Sequence, residues 1–498
     1  MNFLLLSRKT IAQLFAAFIV VELLSFFAHT VTSAQLPLSI CILVVAAIVA
    51  WKNPLAGIGI QLVELILGSK GYLFYLSIGV FSLSIRIALF IALFGVMLAQ
   101  MIRDKRVRFF SFPYWKQITA LYCVVALGVV IALVRGNSFG TLFFDANGYI
   151  YLAWMIPVTQ AVRTREEWQR LFEIGLLATV WVMLKTILVL FCFSQPGIFG
   201  PVLLPLYTWL RRSGVGEITP AGNGFTRVFF QNQIYVLQCV IASIPLAVML
   251  LEKKLPNRRV LIQFSALLIV AMSVVFMSYS RSFWFAAVVA TAMTSVLLMI
   301  DGRSWKRLRA LLLTGVLFGL SAIAGYGILL GVVNLEIPGY PKSGAYNLLT
   351  DRLGNVSGES AAASRWQQLP PLKAAILEHP VLGSGLGRTV TYISNDPRVR
   401  QQSPDGTYTT YAFEWGYLDF LLKFGGLLCL VVLGILGSIA RDIWQYRNND
   451  IVLQAVAVGF VAVAAVHVFT PYLNHPLGFG YGILLLSLLS FVKRPVVE

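Results

Sequence analysis

The sequence predicts an all-α polytopic membrane protein of about 12–14 transmembrane helices with one large extracytoplasmic loop that contains short helices. Three observations predict it. Of 498 residues, 58% are hydrophobic and only 12% are charged, about half the charged share of a soluble domain, and the mean hydropathy is +0.79. Apolar runs of about twenty residues, the length that crosses a hydrocarbon layer, recur along the whole chain. Basic residues collect in short connections between these runs, as positive-inside topology requires. No stretch has the polarity of a separate soluble domain.

The first apolar run, about 10–29, follows Arg8 and Lys9 as a signal sequence would. No small-residue cleavage site ends it, so it reads as a retained first helix. Further runs fall at about 36–51, 54–68, 80–101, 117–135, 146–161 and 169–193. The run 54–68 is short and 146–161 is weakly apolar; either reads as a span or as a re-entrant or interfacial segment. A mixed segment, 194–233, separates them from runs at 234–252, 259–279, 282–300 and 308–333. The longest polar stretch is 334–412, rich in Gly, Pro, Ser and Tyr with nearly balanced charge, which suits a folded loop. Within it, 364–379 (SRWQQLPPLKAAILEH) has helical periodicity interrupted by Pro370 and Pro371. Runs at 413–440, 452–470 and 477–493 close the chain. Four regions follow: an N-terminal bundle (1–193), a central membrane region with loop 194–233 and arginine motifs (194–333), the large loop (334–412) and the C-terminal helices (413–498).

Orientation comes from loop charge. Arg103, Lys105, Arg106, Arg108 and Lys116 lie in 102–116, and Arg163 and Arg165 in 162–168. Lys253, Lys254, Arg258 and Arg259 lie in 252–260, and Arg303, Lys306 and Arg307 in 301–308. Counting spans puts all four loops and both termini on one side, the cytoplasm. The net charge of +18 is therefore read as a topology signal with some attraction to anionic membrane lipids, and nucleic acid is not expected as a partner. The five cysteines all lie within apolar runs without metal-ligand spacing, and the four histidines form no close pair. Neither a disulfide nor a metal site is expected.

The same count places 194–233 and 334–412 outside. Arg211, Arg212, Arg227, Arg281, Arg365 and Arg388 then stand on the side where topology does not call for them. A guanidinium stays charged and its planar fork donates two bonds to phosphate oxygens, so arginines at the mouth of a bundle suit a lipid pyrophosphate. Arg281, in SYSRSFW (278–284), sits between two apolar runs with almost no loop, a costly place for a charge; the plain alternative is a snorkelling arginine. For Arg227, in GNGFTRVFF, the alternative is an ordinary loop arginine, and that reading is preferred for Arg211 and Arg212. Glu414 and Asp419 open the run after the large loop, in YAFEWGYLDFLLKFGG (411–426). Glu414 reads either as helix-start chemistry or as a general base at the water-facing mouth. His379 lies in EHPVLGSGLGR (378–388), whose glycines point to a tight turn. GSGLGR is like a phosphate loop only superficially, since no βα unit frames it and it lies opposite cytoplasmic nucleotides.

The order of these segments resembles that of the O-antigen ligase and O-antigen polymerase superfamily of bacterial inner-membrane glycosyltransferases. The shared pattern runs from about Gly224 to Leu430: an arginine after a Gly/Phe-rich stretch, SYSR at a helix junction, then a long loop with SRW and HPVLGSGLG, and a helix ending in FGG. The resemblance implies a multi-pass protein of the inner membrane that transfers glycan from an undecaprenyl-pyrophosphate donor to a lipid-linked or carbohydrate acceptor, with inversion, and with no metal or nucleotide cofactor. It also implies a possible chain-length regulator as partner. Arg227, Arg281 and Arg365 look like the motif positions for pyrophosphate binding and charge stabilisation; Arg281 and Glu414 are the expected catalytic residues, and Arg388 and His379 further expected substrate contacts. Ligases of the family usually carry histidine where Glu414 stands, and a carboxylate there favours a polymerase of a surface or exported polysaccharide. An O-antigen-type ligase acting on lipid A core or protein, and a transporter or flippase of a lipid-linked or anionic substrate, are the alternatives.

Overall fold

A computed structural model describes residues 5–78, 81–220, 225–252, 258–300, 304–339 and 360–493. It is an all-α polytopic membrane protein. Among the described residues, eleven helices are long and apolar enough to cross a membrane, and two shorter apolar helices, Pro54–Gly68 and Ile451–His467, accompany them. The helices are α1 (Arg8–Thr30), α2 (Gln35–Lys52), α3 (Pro54–Gly68), α4 (Ile85–Asp104), α5 (Trp115–Val134), α6 (Phe139–Ile150), α7 (Met155–Ala161), α8 (Arg165–Ser194) and α9 (Pro196–Arg212). After them come α10 (Gln233–Glu252), α11 (Arg258–Ser278), α12 (Arg281–Ile300), α13 (Trp305–Asn334), α14 (Ser360–Glu378), α15 (Pro397–Gln402), α16 (Gly416–Tyr446), α17 (Ile451–His467) and α18 (Pro476–Lys493). Helix starts follow local chemistry. Ser7, Asn53, Ser84, Ser138 and Ser304 cap their helices through side-chain oxygens, and Thr164 with Glu167 forms a capping box ahead of α8.

The weakly apolar run 146–161 is not one span. It breaks into the end of α6, a 3-10 turn at Tyr151–Trp154 and the seven-residue α7. The helical periodicity at 364–379 reads as interrupted at Pro370 and Pro371, yet α14 runs through both. Burial explains this. Leu372 and Ala375 pack with Val390, Phe413 and Leu422, with Ile376 and Leu418 against them, and tertiary packing outweighs the two lost helical hydrogen bonds. Three two-stranded antiparallel hairpins interrupt the helices: β1 (Tyr75–Ile78) with β2 (Phe81–Ser84), β3 (Gly216–Pro220) with β4 (Thr226–Phe230), and β5 (Val390–Ile393) with β6 (Thr407–Thr410). The segment 194–233 is thus α9 followed by a hairpin. The described part of 334–412 is α14, the β5–β6 hairpin and the short α15. Residues 340–359 lie outside the described residues.

The chain divides into two compact units. One comprises residues 1–109, 154–346 and 450–462, and the other 110–153, 347–449 and 463–498. In the first unit, α8 packs against α1, α3, α10, α11 and α13 and carries the buried Lys185, whose ammonium meets the Glu22 carboxylate of α1 at 2.6 Å. A second buried pair joins Arg86 to Glu64 at 2.9 Å, and Arg86 also donates to the Ser69 carbonyl. Charges this deep in apolar helices persist only when paired in this way. In the second unit, Val124, Ala132, Leu142, Tyr149, Leu386, Phe424 and Leu428 form the core.

Candidate functional site

The second unit is organised around a break in α16. At Gly425 the backbone leaves helical geometry with φ +66°. Interrupting a membrane helix exposes amides and carbonyls that hydrocarbon cannot solvate, so they must find partners within the protein. The segment HPVLGSGLG supplies them. The amides of Ser384 and Gly385 donate to the Leu422 and Lys423 carbonyls at 2.7 and 3.0 Å, and those of Gly426 and Leu427 donate to the Pro380 and Val381 carbonyls at 2.8 and 3.0 Å. On the other side, Asn137 Nδ2 donates to the Ser384 and Leu386 carbonyls at 3.0 and 2.9 Å, and Thr141 Oγ1 to the Gly387 carbonyl at 2.8 Å.

Gly383, Gly385 and Gly387 all have positive φ, at +73°, +81° and +75°. A Cβ on Gly383 would lie 2.5 Å from the Lys423 carbonyl oxygen, and on Gly385 it would run into the Ala132 backbone. These glycines therefore serve close backbone approach. The amides of residues 383 to 387 are all engaged within the protein, so a phosphate has no free amide cradle there. The turn expected from EHPVLGSGLGR is present, and its partner is the FGG end of the same sequence pattern.

Beneath this seam lies a charge cluster. Lys423 is 1% exposed, and its ammonium is 2.7 Å from both Asp145 Oδ1 and Asp419 Oδ1. Asp145 Oδ2 accepts the Gly387 amide at 2.7 Å, and Asp419 Oδ2 accepts Asn474 Nδ2 at 2.7 Å. Asp419 therefore belongs to the buried scaffold. Sequence reading did not single out Asp145 or Lys423. The readable signal was the Asp419–Lys423 spacing of four, which puts opposite charges on one helix face inside an apolar run.

Glu414 lies just before α16, whose first helical residue is Gly416. Its carboxylate pairs with Arg365 of α14, and Arg365 and Glu414 side chains are 36% and 51% exposed. The structure thus joins two predicted site residues that are 49 positions apart. Their surroundings are fixed. Gln368 Oε1 accepts the Glu414 amide at 3.4 Å, and Trp415 Nε1 donates to the Arg365 carbonyl at 3.0 Å. Arg388 pairs instead with Glu378 at 2.7 Å. His379 is half-buried at the end of α14, and its carbonyl accepts the Gly383 amide at 3.0 Å. On the β5–β6 hairpin, burial raises the Tyr392 phenol above its ordinary pKa.

Arg227 and Arg281 belong to the first unit, where one junction gathers both segments. Arg227, on β4, donates from Nε to the Ser278 carbonyl at 2.8 Å and lies over the Phe229 ring at 4.7 Å. Ser278 ends α11, Tyr279 takes φ +51°, and Arg281 starts α12. Phe225 packs on Tyr279 at 5.2 Å, and Phe229 on Phe283 at 5.7 Å. Residues 225–230 and the SYSRSFW segment therefore pack together at one junction.

A guanidinium beside a carboxylate at a half-exposed edge can bind an anion through the first and accept a proton through the second. No protein-family model matches the chain, and comparison with characterised proteins and with solved structures finds no match either.

Proposed function

We propose that this chain is a glycosyltransferase that polymerises undecaprenyl-pyrophosphate-linked oligosaccharide repeat units of a surface or exported polysaccharide. In this reading it lies in a bacterial inner membrane with both termini cytoplasmic, and loop 334–412 faces outward. The Arg365–Glu414 pair carries the reading. Glu414 takes the proton from the acceptor hydroxyl as that oxygen attacks the anomeric carbon. The bond from that carbon to the pyrophosphate oxygen breaks, a glycosidic bond forms with inversion, and the leaving pyrophosphate departs with the bonding electrons. Arg365 is suited to neutralise that charge, because a guanidinium keeps its proton throughout. The junction of Arg227 and Arg281 is a second place fitted to anionic oxygens. Arg388 and His379 flank the glycine segment as further substrate contacts.

The test is direct. Purified protein in nanodiscs, given lipid-linked repeat units extracted from host membranes, forms a ladder of longer products. Transfer to lipid A core without chain growth would establish a ligase instead, and translocation without a new glycosidic bond a transporter. Arg281→Ala and Glu414→Gln each abolish transfer at unchanged protein levels; full activity in both removes these residues from the reaction.

A further inference from the structure

Trp366 stands beside Arg365 on α14 and is 63% exposed. Its indole meets the Trp415 ring edge-on at 5.3 Å. Trp415 is itself held by its bond to the Arg365 carbonyl at 3.0 Å and by the Phe469 ring at 5.5 Å. Two consecutive residues of α14 thus engage two consecutive residues ahead of α16: Arg365 with Glu414, and Trp366 with Trp415. An exposed tryptophan in a membrane protein ordinarily marks the lipid interface, but the residues near Trp366 in sequence bond to polar groups. Ser364 Oγ bonds the Tyr392 hydroxyl at 3.2 Å and Ser394 Oγ at 2.9 Å, and Gln367 Oε1 accepts the Asn395 amide at 3.0 Å. Residues on either side of Trp366 in sequence are thus tied to β5 and the segment that follows it.

Pro370 and Pro371 lie inside α14 and have no N–H to donate to the carbonyls four residues earlier, those of Trp366 and Gln367. The helix nevertheless continues through both prolines, so Trp366 is presented from a regular helix. An exposed aromatic ring with a guanidinium–carboxylate pair alongside matches a pyranose, which has an apolar C–H face and a ring of hydroxyls.

We propose that Trp366 is the stacking platform of an acceptor-sugar subsite, with Glu414 next to the sugar that reacts. The proposal rests on the glycosyltransferase reading and names where that enzyme's acceptor sits. A stacked sugar is held equally before and during reaction, so its loss raises KM and spares kcat.

The experiment varies acceptor repeat unit at saturating donor, with full-length protein in nanodiscs. Trp366→Ala raises the acceptor KM about tenfold or more with kcat nearly unchanged, and Trp366→Phe recovers most of the loss. An unchanged acceptor KM in Trp366→Ala, or a fall in kcat alone, overturns the platform while the polymerase stands. The Trp366 emission, taken as wild type minus Trp366→Phe, responds to the free oligosaccharide released from the repeat unit by mild acid, and brominated lipids do not quench it. Quenching by brominated lipid shows a membrane anchor and overturns the proposal. Absence of transfer by wild type defeats the polymerase reading, and the oligosaccharide response then decides the sugar subsite by itself.

Discussion

Replacing Lys423 with methionine keeps the length and apolar stem of the side chain and removes its charge. The ammonium sits 2.7 Å from one oxygen each of Asp145 and Asp419 at 1% exposure. At an effective dielectric of about 20, each contact is worth about 6 kcal/mol of gross attraction. Most of that is offset by desolvation of three ions, and the two carboxylates repel each other. The measurable consequence is the loss left when one partner goes, about 3–5 kcal/mol for a buried pair. Lys423→Met should therefore lower the free energy of unfolding in mixed micelles by that amount. A built-in control sharpens the result. Adding Asp145→Asn and Asp419→Asn removes the stranded charges while keeping acceptors for the Gly387 amide and the Asn474 side chain, so the triple variant should be more stable than Lys423→Met alone. A loss below about 1 kcal/mol, the scale of a solvated surface pair, would refute the buried-cluster reasoning, and so would a triple variant less stable than the single.

Two further outcomes follow from particular residues. Gly385→Ala puts a Cβ at φ +81° against the Ala132 backbone; the backbone strain alone is about 1–2 kcal/mol, so the thermal midpoint falls clearly, and an unchanged midpoint would mean that the 380–387 segment does not pack as described. Asp405 accepts hydrogen bonds from Thr407 and then Ser403, which hold its carboxyl down to about 2; a depressed carboxylate stabilises above its unfolded value of about 3.9 and loses that contribution as pH falls through the folded one. The protection factor of the Thr407 amide, corrected for intrinsic exchange, should therefore fall between about pH 4 and pH 2, and that fall should be absent in Asp405→Asn.

The membrane architecture was legible because the lipid solvent imposes one rule everywhere, a run of apolar residues long enough to span. Where that rule weakens, prediction lost detail. Residues 146–161 are apolar enough to suggest a span, yet they form two short helices and a turn. Pro370 and Pro371 announce a helix break from local chemistry, and only the packing of Leu372 and Ala375 shows why none occurs. The candidate site was legible at its half-exposed charges, Arg365 and Glu414, because the positive-inside reading leaves an arginine at 365 unexplained. It was illegible at Asp145, which reads as a polar residue in a weak helix. Its role depends on Gly387 and Lys423, 242 and 278 positions away, and no local pattern encodes such a pairing.

The two charge clusters of the second unit differ in a way that matters for the proposed chemistry. Asp145, Lys423 and Asp419 are sealed, mutually satisfied and tied to the backbone seam, so they hold the start of α16 in place. Asp419 lies five residues beyond Glu414, and its amide donates to the Trp415 carbonyl at 2.8 Å, which carries that rigidity to Trp415 and the adjoining Glu414. The Arg365–Glu414 pair is half-exposed, and such a pair contributes only about 0–1 kcal/mol. Charge-assisted hydrogen bonds to a pyrophosphate contribute about 1.5–3 kcal/mol each. On the proposed reading, a donor that reaches Arg365 exchanges a weak partner for a stronger one and leaves the Glu414 lone pairs open to the acceptor hydroxyl. The base is then released only when a leaving group is in place, while its backbone stays fixed by a cluster that the exchange does not touch.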